Sequence, residues 1–306
     1  MISGQSDVII IGSGAAGGII ARTLCEKGIK VLMLDAGRKI DPSEFKTHHL
    51  PYQLPYRGFG HPGKASTNEF REQIILDSAE QPYSTAPNKP FDLTRVWNVG
   101  GKTLVWGRVT LRLSDYDFKA ANRDGYGENW PISYSDIKPY YDRVDQLIGV
   151  CGTKENLDIL PDGVFMPPPR PRCGEIEIQK AGERLGIKVI PIRRAVLTRP
   201  YDGRPPCHYC GECGRGCDVG AFFDSRTVMV DRAEATGNLT LVTNAVVSEV
   251  LVNSMGLAHG VRYFERHNGK DIEVSGRTVI VAASCVDSIR ILLNSKSTKF
   301  PGGVAN

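Results

Sequence analysis

Four thiols fall within eleven residues, Cys207, Cys210, Cys213 and Cys217, in the run CHYCGECGRGC. The spacing is C-x2-C-x2-C-x3-C. Thiolates this close can wrap one compact inorganic core, and the start of the run follows the bacterial ferredoxin pattern. Gly211, Gly214 and Gly216 let such a loop curl and aim N–H groups at sulfur. Two other chemistries stay open. Structural zinc more often takes two C-x2-C pairs separated by a longer stretch, and disulfides form in an oxidising compartment, though here they would staple little chain. Asp218 stands where a proline usually follows the last thiol, and His208 lies between two of them, as a substitute ligand or facing solvent. Cys25, Cys151, Cys173 and Cys285 are scattered and read as small buried apolar residues.

A second constellation opens the chain. Gly12-Ser13-Gly14-Ala15-Ala16-Gly17 matches G-x-G-x-x-G. In this pattern the first glycine permits a tight turn, the second lets backbone approach a pyrophosphate, and the third allows close helix–strand packing. The phosphates would sit at a helix N-terminus, where free N–H groups and the dipole favour negative charge. Asp35 follows at the end of the next apolar run, where a carboxylate accepts from ribose hydroxyls and disfavours a 2′-phosphate. The pattern alone does not separate NAD from FAD.

These residues need a scaffold. DVIII is an apolar run suited to a buried parallel strand, and Ala16, Ile20 and Leu24 mark one face of a helix that Gly28 would stop. KVLMLD gives the second strand, so residues 7–34 read as a βαβ unit. Residues 38–92, rich in Pro, His, Tyr and Gly, read as an excursion from the core. SYSDIKPYYDRVDQLIGV has helical spacing with Ser135 as a candidate cap, and FMPPPRPR is a stiff connector. A short helix (EIQKAGERLG) and a strand (KVIPIRRAV) precede the thiols. Three strand-like runs follow: NLTLVTNAVVSEVLVN, AHGVRYFERHNGK and DIEVSG, with Asn268-Gly269 as a hairpin turn. TVIVAAS, a further buried strand, leads into a helix through VDSIRILLNS. This return strand after a meander suits a flavoprotein better than a plain doubly wound NAD domain.

Composition narrows the function classes. The net charge of +4 is spread along the chain without a basic block, which argues against nucleic acid as a partner. No apolar run reaches the length of a bilayer-spanning helix, so no transmembrane segment is expected. With no secretory or twin-arginine signal at the start, the expected location is cytoplasmic, or periplasmic through export with a partner subunit.

At RVWNVGGKTLVWG, residues 95–107, the chain resembles the flavin-side loop of the glucose–methanol–choline (GMC) oxidoreductases, in particular the flavoprotein subunits of bacterial sugar and gluconate dehydrogenases. LDAGR at 34–38, NWPISYSDIKPYYDRVDQLIGVCG at 129–152, RPYDGRPPC at 199–207 and VIVAASCVDSIRILLNS at 279–295 agree in order, so the resemblance covers nearly all 306 residues. It implies an α/β fold, FAD-binding and Rossmann-like of the GMC/glutathione-reductase type, with an inserted loop and a Cys-rich segment. The implied segments are 1–38, the FAD-binding βαβ; 39–92, a lid or loop excursion; 93–150, the flavin loop and following helix; 151–225, the Cys-rich insertion; and 226–306, the meander, return strand and helix. The implied cofactor is FAD. Gly12, Gly14, Ala15, Ala16 and Gly17 would hold its pyrophosphate, Asp35, where the family often has glutamate, its ribose, and Asn98, Gly100 and Gly101 its flavin ring. Val246 stands where relatives contact adenine through backbone; plain sheet packing is an equal reading. Val105 occupies the place from which some relatives attach flavin through histidine, so the cofactor is expected to be releasable.

The implied reaction is hydride transfer from a sugar or other alcohol to flavin. Related sugar dehydrogenases hold a three-iron cluster near the thiol run, with somewhat different spacing, so a three- or four-iron cluster relaying electrons to a cytochrome or quinone is an expectation here. A cytochrome or small export subunit is the expected partner. The catalytic histidine pair of the family comes from its C-terminal half, and His48, His49, His61, His259 and His267 match no position of it. The chain is therefore expected to be an N-terminal portion lacking the substrate domain, without catalytic residues of its own. Cys285 and Ser284 fall where relatives carry glycine and a small residue. The competing reading, from another class, is a non-catalytic FAD-binding or electron-transfer module.

Overall fold

A computed structural model describes residues 6–59, 74–76 and 81–304. Met1 to Gln5, His61, much of the 39–92 excursion and the last two residues lie outside them. The strands are β1 Ser6–Ile11, β2 Val31–Leu34, β3 Leu239–Val242, β4 Ala245–Val252, β5 Ala258–Glu265 and β6 Asp271–Val281. The α-helices described are α1 Ala15–Cys25, α2 Asp115–Phe118, α3 Ala120–Asp124, α4 Tyr134–Ile148, α5 Cys173–Arg184, α6 Asp231–Ala235 and α7 Cys285–Asn294. Two compact units result: Met1–Val105 with Gly211–Asp218 and Asp224–Asn306, and Trp106–Cys210 with Val219–Phe223.

The first unit is built on a six-stranded sheet in the order β3-β2-β1-β6-β5-β4. β1, β2, β3 and the second half of β6 run parallel, and β6, β5 and β4 form an antiparallel meander. Alternation along β1 sends its side chains to two cores. Ile9 and Ile11 join Leu32, Leu34 and the meander residues Val247, Val261 and Tyr263. Val8 and Ile10 join Val31, Met33 and the α1 residues Ala21 and Cys25. A parallel strand covered on both faces reads as a continuous apolar run, which is why DVIII carries no polar alternation. Each such isoleucine or leucine contributes about 1.5–3 kcal/mol by leaving water. After α1 the chain turns at Gly28, φ 81°, whose N–H donates to Cys25 O while Ile29 N–H donates to Leu24 O.

The meander departs from the sequence reading in two places. Residues 238–253, read as one strand, are two: β3 pairs with β2, and a turn at Asn244, φ 56°, sends β4 to pair with β5. DIEVSG and TVIVAAS, read as two strands, are the single strand β6, whose first half pairs with β5 and second half with β1. Gly276 sits at that change of partner. A Cβ there would lie 2.7 Å from Ile9 Cγ1, so its bareness lets the core isoleucine pass beneath the strand.

The second unit is organised around buried arginines. The extended stretch before α2 buries Arg108 and Arg112 while Val109, Leu111 and Leu113 face outward. Arg112 Nε and Nη2 donate to Asp145 Oδ2 at 3.1 and 2.5 Å, Nη2 to Asp142 Oδ1 at 2.7 Å and Nη1 to Tyr134 Oη at 2.9 Å, all three partners being on α4. Burial pushes the Asp145 carboxyl up, against the pull of Arg112, and these partners hold the guanidinium firmly charged. Arg193 donates to Asp162 Oδ1 at 2.6 Å and lies over the Phe165 ring. The α4 cap is Ser133, not Ser135: its N–H and hydroxyl donate to Asp136 Oδ2 at 2.8 and 2.7 Å, completing a capping box two residues earlier. KVIPIRRAV forms no strand; single bridges of Arg194 to Val109 and Cys151 and of Val196 to Phe222 remain, and Pro191 removes a ladder donor.

Candidate functional site

A cavity of about 500 Å³ opens in the first unit, over the C-terminal ends of β1, β2 and β6. Its floor is the turn from β1 into α1. Gly12 takes φ 94°, and a Cβ on it would meet Ala282 O at 2.6 Å. A Cβ on Gly17 would lie 1.9 Å from Gly12 O, so this glycine lets the first turn of α1 press onto the strand end. Gly14 is different: a Cβ there meets nothing within 4 Å. Its bareness serves no packing need, and it lines the cavity with Ala15 and Ala16. No side chain caps α1, so the N–H groups of its first turn are left for a ligand.

Asp35 closes one wall. Its Oδ2 accepts from Ser13 N at 3.1 Å and from the Ser13 hydroxyl, and its Oδ1 accepts from Gly37 N at 2.9 Å. Burial pushes this carboxyl above the usual carboxylate range, against the pull of those three donors. Gly37 in turn lets the loop at 95–101 come close, since a Cβ on it would lie 1.5 Å from Trp97 O. That loop then turns through Gly100 and Gly101, φ 102° and 53°, and Gly100 N donates to Ser13 Oγ at 2.9 Å. On the far side, Ala245 to Val247 of β4 and Ala282 to Ser284 before α7 complete the walls.

Seven of the ten residues expected to bind cofactor line this cavity: Gly12, Gly14, Ala15, Ala16, Asp35, Gly101 and Val246. Gly17, Asn98 and Gly100 stand behind its surface. Gly17 packs α1, Gly100 ties the loop to Ser13, and Asn98 is buried with its amide among the carbonyls of Trp97 and Ile74. Sequence reasoning missed Ser13, Thr103 and Ser225, which carry no spacing signal, and the Ala282–Arg290 stretch. Ser284 takes φ 69° and ψ 166° at the cap of α7, a conformation nearly reserved for glycine. No histidine lines the cavity among the described residues.

The thiols do not assemble as their spacing suggested. Cys207 and Cys210 close the second unit, and Cys213 and Cys217 belong to the first. Cys207 N is held by Leu197 O at 2.9 Å and Cys210 is exposed. The backbone is left-handed at Tyr209 and Gly211. Among the described residues no three His, Cys, Asp or Glu side chains gather into a metal-holding group, and no disulfide forms. No iron–sulfur cluster is supported at the expected ligands Cys207, Cys210, Cys213 and Cys217. No described helix is long and apolar enough to cross a membrane.

Residues 6–299 match the family model described as GMC oxidoreductase. The chain is 27% identical to the fructose dehydrogenase large subunit of Gluconobacter japonicus, over 99% of this chain and 56% of that protein. It is 29% identical to 2-methyl-1,2-propanediol dehydrogenase of Mycolicibacterium austroafricanum, over 99% of this chain and 53% of that one. Among solved structures, an FAD-dependent oxidoreductase from Chaetomium thermophilum superposes with a TM-score of 0.60 at 18% identity, covering 95% of this chain and 47% of that one. The chain thus spans about half the length of the curated relatives it matches.

Proposed function

The chain belongs to the GMC oxidoreductase family, and on that premise we propose that it is the FAD-binding portion of an enzyme oxidising the CH–OH group of an alcohol or sugar. The observation that carries this reading is the cradle at Gly14: a glycine turn whose one unneeded Cβ position opens into a cavity of about 500 Å³. The residues present fit FAD. The first-turn N–H groups of α1 hold the pyrophosphate with the positive end of the helix dipole. Asp35 Oδ1 keeps acceptor capacity beyond Gly37 N, enough to take a ribose hydroxyl. Ile11, Leu34, Val246 and Ala282 keep the cavity apolar and exclude water. Bound FAD supplies two-electron acceptance from a CH–OH donor.

The relatives, named for a sugar and for a diol, favour a sugar or alcohol as substrate. The name of the first, a large subunit, also favours a protein assembled with partner subunits. A second reading, an FAD-binding module without turnover of its own, is favoured by the absence of histidine among the described cavity residues, since alcohol oxidation needs a base within reach of the hydroxyl. Dye reduction with fructose, gluconate and simple diols by the FAD-loaded chain separates the two. Reduction supports the enzyme; a loaded chain that stays oxidised supports the module.

A further inference from the structure

Three segments far apart in sequence close a ring of hydrogen bonds beneath the cavity. Ser225 Oγ donates to Ser13 O at 2.8 Å, with Gly14 O at 3.0 Å. Ser225 N donates to Thr103 Oγ1 at 2.8 Å, and Thr103 Oγ1 donates to Gly100 O at 2.5 Å. Gly100 N returns to Ser13 Oγ at 2.9 Å. Ser13 and Ser225 are fully buried and Thr103 is 8% exposed. Each hydroxyl of the ring has both a donor and an acceptor role or a buried acceptor of its own, so none can leave without orphaning a partner.

The ring joins two loops that meet at the site. Ser13 and Gly14 belong to the glycine turn, and Gly100 and Thr103 to the loop that lies against it, where a Cβ on Gly101 would be 3.4 Å from Gly14 Cα. Ser225 also fixes its distance from α1, since a Cβ on Gly18 would come 2.0 Å from Ser225 Oγ. It stands immediately before a π-helical turn, Arg226–Val230, an irregularity frequent at functional sites.

We propose that Ser225 and Thr103 are positioning residues for the flavin: the serine holds the glycine turn to the 100–103 loop, and the threonine sets that loop's register. This rests on the FAD-binding reading above. The roles separate by ligand. Thr103 bonds only to the 100–103 loop and Ser225, so its hydroxyl matters to a ligand that reaches the loop. Ser225 bonds to the glycine turn, so its hydroxyl matters to any ligand with a pyrophosphate.

The test titrates the full chain and its Thr103→Val, Thr103→Ser and Ser225→Ala variants with FAD and with ADP, following visible circular dichroism of bound flavin and thermal melting of the ligand-free proteins. Thr103→Val is expected to bind FAD about tenfold more weakly, about 1.4 kcal/mol, with altered flavin dichroism and unchanged ADP affinity. Thr103→Ser, which keeps the hydroxyl, restores both. Ser225→Ala weakens FAD and ADP alike. Thr103→Val with wild-type FAD affinity and dichroism overturns the proposal, as does parallel loss of ADP and FAD binding in that variant. A wild-type chain that folds but binds neither ligand refutes the FAD reading itself, and the inference falls with it.

Discussion

The hydroxyl of Ser13 donates to the carboxylate of Asp35 across 22 residues of sequence, while the Ser13 N–H donates to the same oxygen at 3.1 Å. The glycine turn and the end of β2 are thus locked together before any ligand arrives. Burial nonetheless raises the Asp35 pKa above that of an unfolded aspartate, about 3.9. Between those two values the folded chain binds more protons than the unfolded one, so this group's contribution to stability is full below the unfolded pKa and is lost as pH rises through the folded one. An Asp35→Asn chain has no such titration. Urea unfolding of ligand-free wild type and Asp35→Asn is expected to show the wild-type advantage shrinking as pH goes from 4 toward neutrality. An advantage that is flat or grows with pH contradicts the environment described for Asp35.

Two glycines three residues apart should respond oppositely to a methyl group. Gly17→Ala forces a Cβ against the Gly12 carbonyl and is expected to destabilise by about 2–4 kcal/mol. Gly14→Ala meets open space at φ −63°, so its stability should stay within about 0.5 kcal/mol of wild type. The same methyl intrudes on the cradle, and FAD affinity should fall at least about tenfold. Thermal melts and FAD titration of both variants check this pair.

Ser284 is the clearest strained position near the site. Its backbone conformation costs an L-residue about 1–3 kcal/mol, of which glycine would recover part after its own entropy loss. Ser284→Gly is expected to raise stability by about 1 kcal/mol in urea melts. A loss of stability would show that the serine side chain compensates the strain.

In the second unit, Arg112 and Asp145 form a buried ion pair with side chains 1% and 2% exposed. Removing one partner strands the other charge. Asp145→Ala is expected to cost about 3–5 kcal/mol, toward the lower end because Asp142 and Tyr134 still face the guanidinium. Chemical denaturation of the single variant measures it. Replacement of both residues by apolar side chains should be far milder than the single change.

The sequence made the βαβ start legible because both of its signals are local. The continuous apolar run of β1 and the glycines of the turn depend on near neighbours alone, and Asp35 follows from strand length. The ring at Ser225 was not legible, since serine and threonine occur everywhere and nothing in their spacing marks 122 residues of separation as a contact. The arginine core was hidden for the opposite reason: RVTLRL alternates as a strand should, but with its arginines inside and its leucines out. The carboxylates of α4 face Arg112 and the Phe222 ring lies against Arg108, and both come from elsewhere in the chain. The thiol run shows the limit of spacing as evidence. It specifies which residues are near in sequence, and among the described residues that nearness gathers no metal-holding group.

The central claim is that the cavity over β1 and α1 holds FAD without a covalent bond. The most direct measurement is a visible absorbance titration of the folded chain with FAD, followed by acid precipitation. Saturation at one FAD per chain, a flavin spectrum perturbed from that of free FAD, and complete release of intact FAD into the supernatant are expected. A folded, colourless protein that leaves the FAD spectrum unchanged at every concentration contradicts it.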